Sequence, residues 1–430
     1  MESPDLPPSP VGTVRRLSPR PFALHLMLAT GALMSSKSGL PHWSGVLQNS
    51  KTDPSRPEPP PAPPANPLSP NLPEDLAADL AKFDAASVGR ALDGAVLEAA
   101  KQLADGVEAY RRHPYAREVD DVRAVWRAGG TALLDHGASG VSVLFVPSLV
   151  NRGWVLDLVP GEGMLSWLAG RGIHPYRVEW GAPGDAERTF GIADYVAQRL
   201  EPALDEVTRR SGRRPILAGY CMGGLLAMAA AVRRPDAIGG LVLLASPWDF
   251  HAEGDARGKA IGAFYRAGRP LLGALGEFPI DAIQALFATH DPIVALRKFR
   301  RFAALDPKSA EARNFVALED WLNDGVALTL PVADEAMLHW YDANLPGTGG
   351  WSVGGTAIDP AAVTVPSLVV VPSGDRLVPP ASAAAVLPSL RQVTRLDIPL
   401  GHIGMVVGRK AQDALWRPLA DWILQMGGSA

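Results

Sequence analysis

The chain has 430 residues, 47% of them hydrophobic and 20% charged, with a formal net charge of −4. This is the composition of a globular protein long enough for a large core with an insertion, and it offers no basic excess for nucleic acid. The single cysteine excludes an internal disulfide and fits a reducing cytoplasm.

Residues 1–73 read as an extension apart from any packed domain. Ten of the twenty residues from Pro54 to Pro73 are proline, which gives an extended linker. Before it, an apolar run from Pro21 to Met34 follows Arg15, Arg16 and Arg20. That run is too short to span a membrane as a helix, and no clean cleavage pattern follows it. It reads as an amphipathic segment that docks on a hydrophobic particle.

The catalytic domain is expected over residues 74–430. Residues 74–110 carry helical periodicity through Leu76, Leu80, Phe83, Leu92, Val96, Leu103, Val107 and Tyr110. Arg123 to Trp126 and Thr131 to Asp135 flank Gly129-Gly130 and predict a hairpin. From Val141 the pattern alternates. Strands are predicted at Val141–Val146, Pro175–Trp180, Pro215–Ala218, Leu241–Ala245, Val365–Val371 and Val393–Ile398. Helices are predicted at Gly161–Ala169, Gly191–Arg210, Leu225–Val232 and Ala411–Gln425. Such alternation predicts an α/β, doubly wound, mostly parallel sheet. One stretch breaks it. Residues of about 248–362 show helical but no strand patterning and hold Phe264, Tyr265, Phe278, Phe287, Phe299, Phe302, Phe315, Trp321, Trp340 and Tyr341. An aromatic helical insertion there is placed to cap an active site, although most of these rings also suit the core of a helical subdomain.

Gly219-Tyr220-Cys221-Met222-Gly223-Gly224 lies between a predicted strand and a predicted helix, the context of a nucleophile elbow. Glycines permit the close approach of strand and helix, and the helix start favours a thiolate or an oxyanion at Cys221. A lone cysteine beside a Gly-Gly pair is also compatible with a small buried hydrophobe. Partners in order along the chain weigh for catalysis. Asp375 follows one predicted strand and His402 the last, giving nucleophile, acid and base in sequence. Asp249, in Ser246-Pro247-Trp248-Asp249-Phe250, is the competing acid. The amide of Met222 and one from Pro147–Asn151, with Val150 chosen, are the expected oxyanion donors.

These residues resemble the polyhydroxyalkanoate synthases, acyltransferases of the α/β-hydrolase fold with cysteine in the lipase-box position. The likeness runs from about Arg111 to the C-terminus and is greatest to the class III catalytic subunits. Its matching segments are Val150-Asn151-Arg152-Gly153-Trp154-Val155-Leu156-Asp157-Leu158, the Cys221 box, Gly374-Asp375 with Val378-Pro379, and Gly401-His402-Ile403-Gly404. His339-Trp340-Tyr341 with Asn344-Leu345 resembles the end of the family's cap. Arg376 stands where the family often has histidine, and the Pro-rich extension is not typical of the short class.

The resemblance implies Cys221 as acylated nucleophile, His402 as base, Asp375 as its activator, and Val150 and Met222 as oxyanion donors. Tyr341 and Trp340 would face substrate. It implies (R)-3-hydroxyacyl-CoA and a growing polyester chain as partners, with coenzyme A thioester as substrate and no cofactor. A homodimer and an accessory synthase subunit are left open, and the expected location is the cytoplasm or a polyester granule surface. A thioesterase or intracellular depolymerase on the same fold is the alternative. A non-catalytic granule-associated protein is the alternative of another class.

Overall fold

The computed structural model describes residues 84–118, 122–288 and 293–427, with Arg16, Pro19, Arg20, Ala23, Leu24 and Met27 before them. The Pro-rich linker, the remainder of the apolar segment and Leu76, Leu80 and Phe83 lie outside the described residues. The chain divides into two compact units, one drawn from residues up to 114 with 291–312, the other from 115–290 with 313–430.

In the first unit, helix α1 (Ala85–Arg112) begins at Asp84, whose carboxylate accepts the Ser87 amide at 2.8 Å. Its apolar face, Leu103, Val107 and Tyr110, is buried. The Tyr110 ring meets Phe299 edge-on at 5.9 Å. Gly106 allows this approach, since a Cβ there would stand 2.3 Å from the Phe299 carbonyl oxygen. Phe302 packs its ring near His113, just beyond the end of α1. Phe299 and Phe302 thus belong to the packing around α1, where sequence had grouped them with the cap.

The second unit is built on an eight-stranded sheet: β1 (Arg123–Ala128), β2 (Thr131–Asp135), β3 (Val141–Val146), β4 (Ile173–Glu179), β5 (Ile216–Tyr220), β6 (Gly240–Leu244), β7 (Ser367–Pro372) and β8 (Val393–Ile398). Their order is β1-β2-β4-β3-β5-β6-β7-β8. The β1–β2 and β2–β4 pairs are antiparallel, and every pair from β4 to β8 is parallel. With helices on both faces this is the α/β-hydrolase fold. Residues of β3, β5, β6 and β7 are almost all buried, as strands covered on both faces must be. Two core clusters divide them by the period of two: Leu144, Val146 and Leu217 on one face, Val143, Phe145 and Ala218 on the other.

The predicted helix at 191–210 forms as Ile192–Tyr195 and Glu201–Ser211 joined through a π-helical Val196–Leu200. The last helix likewise begins with a π-helical Gln412–Trp416 before Arg417–Gly427. The insertion after β6 is helical, but it also contains two-residue ladders. Glu277–Phe278 pairs with Leu328–Thr329, and Ser352–Val353 with Thr356–Ala357. Strands that short carry no alternation, so sequence missed them. Among the described residues no helix is long and apolar enough to cross a membrane.

Candidate active site

The sharpest backbone feature lies between β5 and the helix that follows it, Met222–Arg233. Cys221 has φ 56° and ψ −129°, a conformation that side chains other than glycine rarely adopt and that costs about 1–3 kcal/mol. The surroundings leave it little choice. Its amide donates to the Leu244 carbonyl of β6 at 2.9 Å, and its carbonyl accepts the Gly224 amide at 2.9 Å. A Cβ on Gly219 would stand 2.4 Å from Gly224 Cα, and one on Gly223 would stand 2.0 Å from the Val146 carbonyl oxygen. Strand, turn and helix are therefore packed backbone to backbone, and the cysteine side chain is thrust outward, half-buried. Met222 is the first residue of the helix, where an amide has no partner within the helix.

The loops after β7 and β8 deliver the other two groups. Pro372 and Ile398 are register partners at the ends of those strands, and the Gly374 amide donates to Leu400 at 3.0 Å, so the loops leave side by side. Asp375 is buried. Its Oδ1 accepts the amides of Leu377 (2.8 Å) and Val378 (2.9 Å), while its Oδ2 pairs with His402 Nδ1 at 2.6 Å. It caps a turn and holds the histidine at once. Asp249 faces elsewhere: its Oδ1 accepts the His251 amide at 2.8 Å and Asn344 Nδ2 at 2.7 Å. The structure brings Asp375, not Asp249, to His402.

His402 is buried, which by itself would lower its pKa. The Cys221 charge, the hydrogen bonds His402 donates to Asp375 and Cys221, and the Asp375 charge outweigh burial and raise it to about 10. The imidazolium is thus the favoured form of His402, bracketed by Cys221 and Asp375. A further residue, not singled out for the site in the sequence, completes the bracket. Tyr220 donates its hydroxyl to the His402 carbonyl at 3.1 Å and stacks its ring on the imidazole at 5.2 Å. Burial and the charges of Cys221 and Asp375 push the Tyr220 phenol well above its ordinary value, so it stays neutral.

The loop carrying Val150 is fastened from outside. Val150 accepts the Val326 amide at 2.8 Å, Asn151 bridges to Gly325, and Trp321 Nε1 donates to the Arg152 carbonyl at 2.7 Å. The Val150 amide itself donates to Ser148 Oγ at 3.2 Å, so an oxyanion at this position would replace that bond. Only the folded chain shows this clasp, because Trp321 to Val326 lie far along the sequence.

Cys221 and His402 open on a cavity of about 140 Å³ whose lining is predominantly apolar. Leu225, Phe250, Leu286, Met337, Trp340 and Tyr341 are among its walls. Burial and the Cys221 charge raise the Tyr341 phenol to about 12, so it too remains protonated. Among the described residues no cluster of ligating side chains could hold a metal ion.

The chain is similar in sequence to several polymerase subunits. It is 30% identical over 292 residues to the poly(3-hydroxyalkanoate) polymerase subunit PhaC of Synechocystis sp., covering 66% of this chain and 77% of that one. The chain belongs to the PhaC polymerase family. The PhaC subunit of Haloferax mediterranei is 27% identical over 291 residues, and that of Allochromatium vinosum 26% identical over 292. Each match covers 66% of this chain, with 59% of the Haloferax protein and 81% of the Allochromatium protein. No family model matches. A solved thioesterase domain from the curacin biosynthetic pathway aligns with 71% of this chain and all of its own length, at 15% identity and a TM-score of 0.42.

Proposed function

We propose that this PhaC-family chain is an acyltransferase that polymerises (R)-3-hydroxyacyl-CoA into polyester with release of CoA. The observation that carries the reading is a Cys221–His402–Asp375 array opening on a largely apolar cavity. Cys221 is the nucleophile, His402 the base and Asp375 its activator. Met222 and Val150 are the oxyanion donors, and Trp340 and Tyr341 the cap residues over the substrate.

In the first step the Cys221 thiolate attacks the thioester carbonyl. The bond from carbonyl carbon to CoA sulfur breaks, and the departing CoA thiolate takes the proton of His402. In the second, neutral His402 removes the proton of a 3-hydroxyl, whose oxygen attacks the acyl-cysteine. The Cys221 sulfur leaves as a thiolate beside the regenerated imidazolium. Proton transfer of this kind contributes about 10² to 10⁴ in rate. Exchange of thioester for thioester keeps the acyl group activated, which a serine ester would not. With one cysteine in the chain, the growing polyester alternates between Cys221 and the incoming hydroxyacyl-CoA, one CoA being released per addition. No cofactor enters these steps.

Water competes for the acyl-cysteine, and an apolar cavity that holds it off favours transfer over hydrolysis. Matched relatives are named as subunits, which supports an accessory synthase subunit as partner. The proposed place of action is the cytoplasmic surface of a polyester granule. Incubation with 3-hydroxybutyryl-CoA tests the reading. Insoluble polymer with CoA release supports it, and quantitative conversion to monomeric acid would mark a hydrolase. Cys221→Ala is expected to abolish CoA release while leaving thermal unfolding cooperative.

A further inference from the structure

The loop from Pro147 to Gly153 carries the Val150 amide between two fixed ends, and the residues that close β4 hold both. At its start, Trp180 Nε1 donates to the Pro147 carbonyl at 2.9 Å. At its end, Glu179 Oε2 accepts the Gly153 amide at 3.2 Å. Consecutive residues of an extended strand point to opposite faces of the sheet, so the loop is gripped from both. Neither grip is loose. The Trp180 ring is buried and meets Tyr195 edge-on at 5.7 Å. The Glu179 carboxylate is fixed in turn by the buried guanidinium of Arg177, whose Nη1 donates to Oε2 at 2.8 Å. Gly153 lets the loop lie directly against the strand: a Cβ there would stand 2.9 Å from Arg177 Nη1 and 3.0 Å from the Val178 carbonyl oxygen.

Val150 stands midway between the two clamped ends. Its amide donates to Ser148 Oγ at 3.2 Å, and an oxyanion formed at Cys221 has to take that bond over. The amide can be aimed at such an oxygen only if the ends of its loop do not drift. A preorganised oxyanion donor contributes about 10² to 10³ in rate, and a misplacement of about 1 Å costs about 10². The insertion meets the same loop. Arg152 faces Glu179 Oε1 at 3.9 Å and Asp324 Oδ1 at 3.7 Å, so its guanidinium lies between the end of β4 and the segment that clasps Val150 from outside.

We propose that Glu179 and Trp180 are positioning residues for the oxyanion hole, which together fix the Val150 amide where charge develops on the carbonyl oxygen. This rests on the acyl-transfer reading above, in which Val150 is an oxyanion donor. The test compares two reactions of Cys221 in the full chain. Acylation by 3-hydroxybutyryl-CoA passes through a tetrahedral oxyanion before CoA leaves with its sulfur. Alkylation by iodoacetamide forms the bond from sulfur to carbon as iodide leaves, and develops no oxyanion. Glu179→Ala should slow acylation, read as the first CoA released per Cys221, by at least about tenfold, while alkylation stays within about twofold. Trp180→Phe keeps an aromatic ring beside Tyr195 and removes the N–H donor, and should give the same split. It carries the test if the alanine variant, which strips Arg177 of its carboxylate partner, does not unfold cooperatively. Acylation at the unaltered rate in a cooperatively folded variant overturns the proposal. So does a parallel fall in both reactions, which would trace the effect to the Cys221–His402 pair. Failure of the polymerase reading looks different: the unaltered protein would release CoA and yield only monomeric acid, and the split between acylation and alkylation would still be read.

Discussion

His402 connects the chemistry of the site to the stability of the fold. Its pKa is raised from 6.5 to about 10, so the folded chain holds this proton more tightly than the unfolded chain does. The resulting stabilisation is complete below the unfolded value and is lost as pH climbs through the folded one. The stability difference between the unaltered protein and His402→Gln should therefore shrink between about pH 6.5 and pH 10. Urea unfolding across that range measures it, and a difference that grows with pH would contradict the assigned cause. The two aspartates separate by a different readout. Asp375→Asn is expected to slow CoA release by about 10² to 10⁴, because the imidazole loses its orienting charge. Asp249→Asn removes a carboxylate that accepts from Asn344 and His251, and should lower stability by about 1 kcal/mol with far less effect on rate. If the Asp249 change proves the more damaging to turnover, the acid has been misassigned.

At the scale of elements, the elbow exists because three glycines let β5, the helix after Cys221 and their neighbours touch. Gly224 faces Ser246 after β6: a Cβ there would lie 1.8 Å from Ser246 Oγ and 2.4 Å from its Cβ. Gly224→Ala should therefore destabilise by about 1–3 kcal/mol or more through overpacking. Adding Ser246→Gly should recover part of the loss, measured by denaturant midpoints, and no recovery would place the clash elsewhere. The insertion after β6 contributes the other wall of the site. Tyr341 and Trp340 sit in a π-helical segment, Glu335–Asp342, that lines the cavity over Cys221. Replacing Tyr341 by serine should raise the share of free acid in the product severalfold, since water gains access to the acyl-cysteine. An unchanged acid fraction alongside continued CoA release would show that this ring does not exclude water.

For the molecule as a whole, the proposed boundary lies near residue 73, with the Pro-rich stretch before it and the cap inserted at about 248–362 within residues 74–430. Proline-dense sequence buries little apolar surface. Removal of residues 1–73 should leave cooperative thermal unfolding and CoA release intact. A truncated chain that unfolds gradually, or not at all on heating because it is already unfolded, would refute that boundary. If the apolar segment docks on granules, the same truncation should shift the protein from the granule fraction to the soluble one.

Much of this protein was legible in its sequence because the relevant signals are local. A short run such as Val141–Val146, apolar but for Ser142 and rich in β-branched residues, reads as a strand covered on both faces, and Gly-x-Cys-x-Gly-Gly between strand and helix specifies a turn that few other residues tolerate. Chain order alone put Asp375 and His402 at strand ends, where parallel sheets gather their functional groups. Tertiary structure decided what depends on residues distant in sequence. It settled which aspartate meets His402, since Asp375 and Asp249 both follow strands and only the side-by-side exit of the β7 and β8 loops distinguishes them. It placed Tyr220 under the imidazole, a contact set by β5 lying beneath the last loop. It fastened the Val150 loop with Trp321 to Val326, and it moved Phe299 and Phe302 out of the cap to pack around α1. Periodicity reports which face of an element is buried, but what that face is buried against is fixed only when the chain has closed on itself.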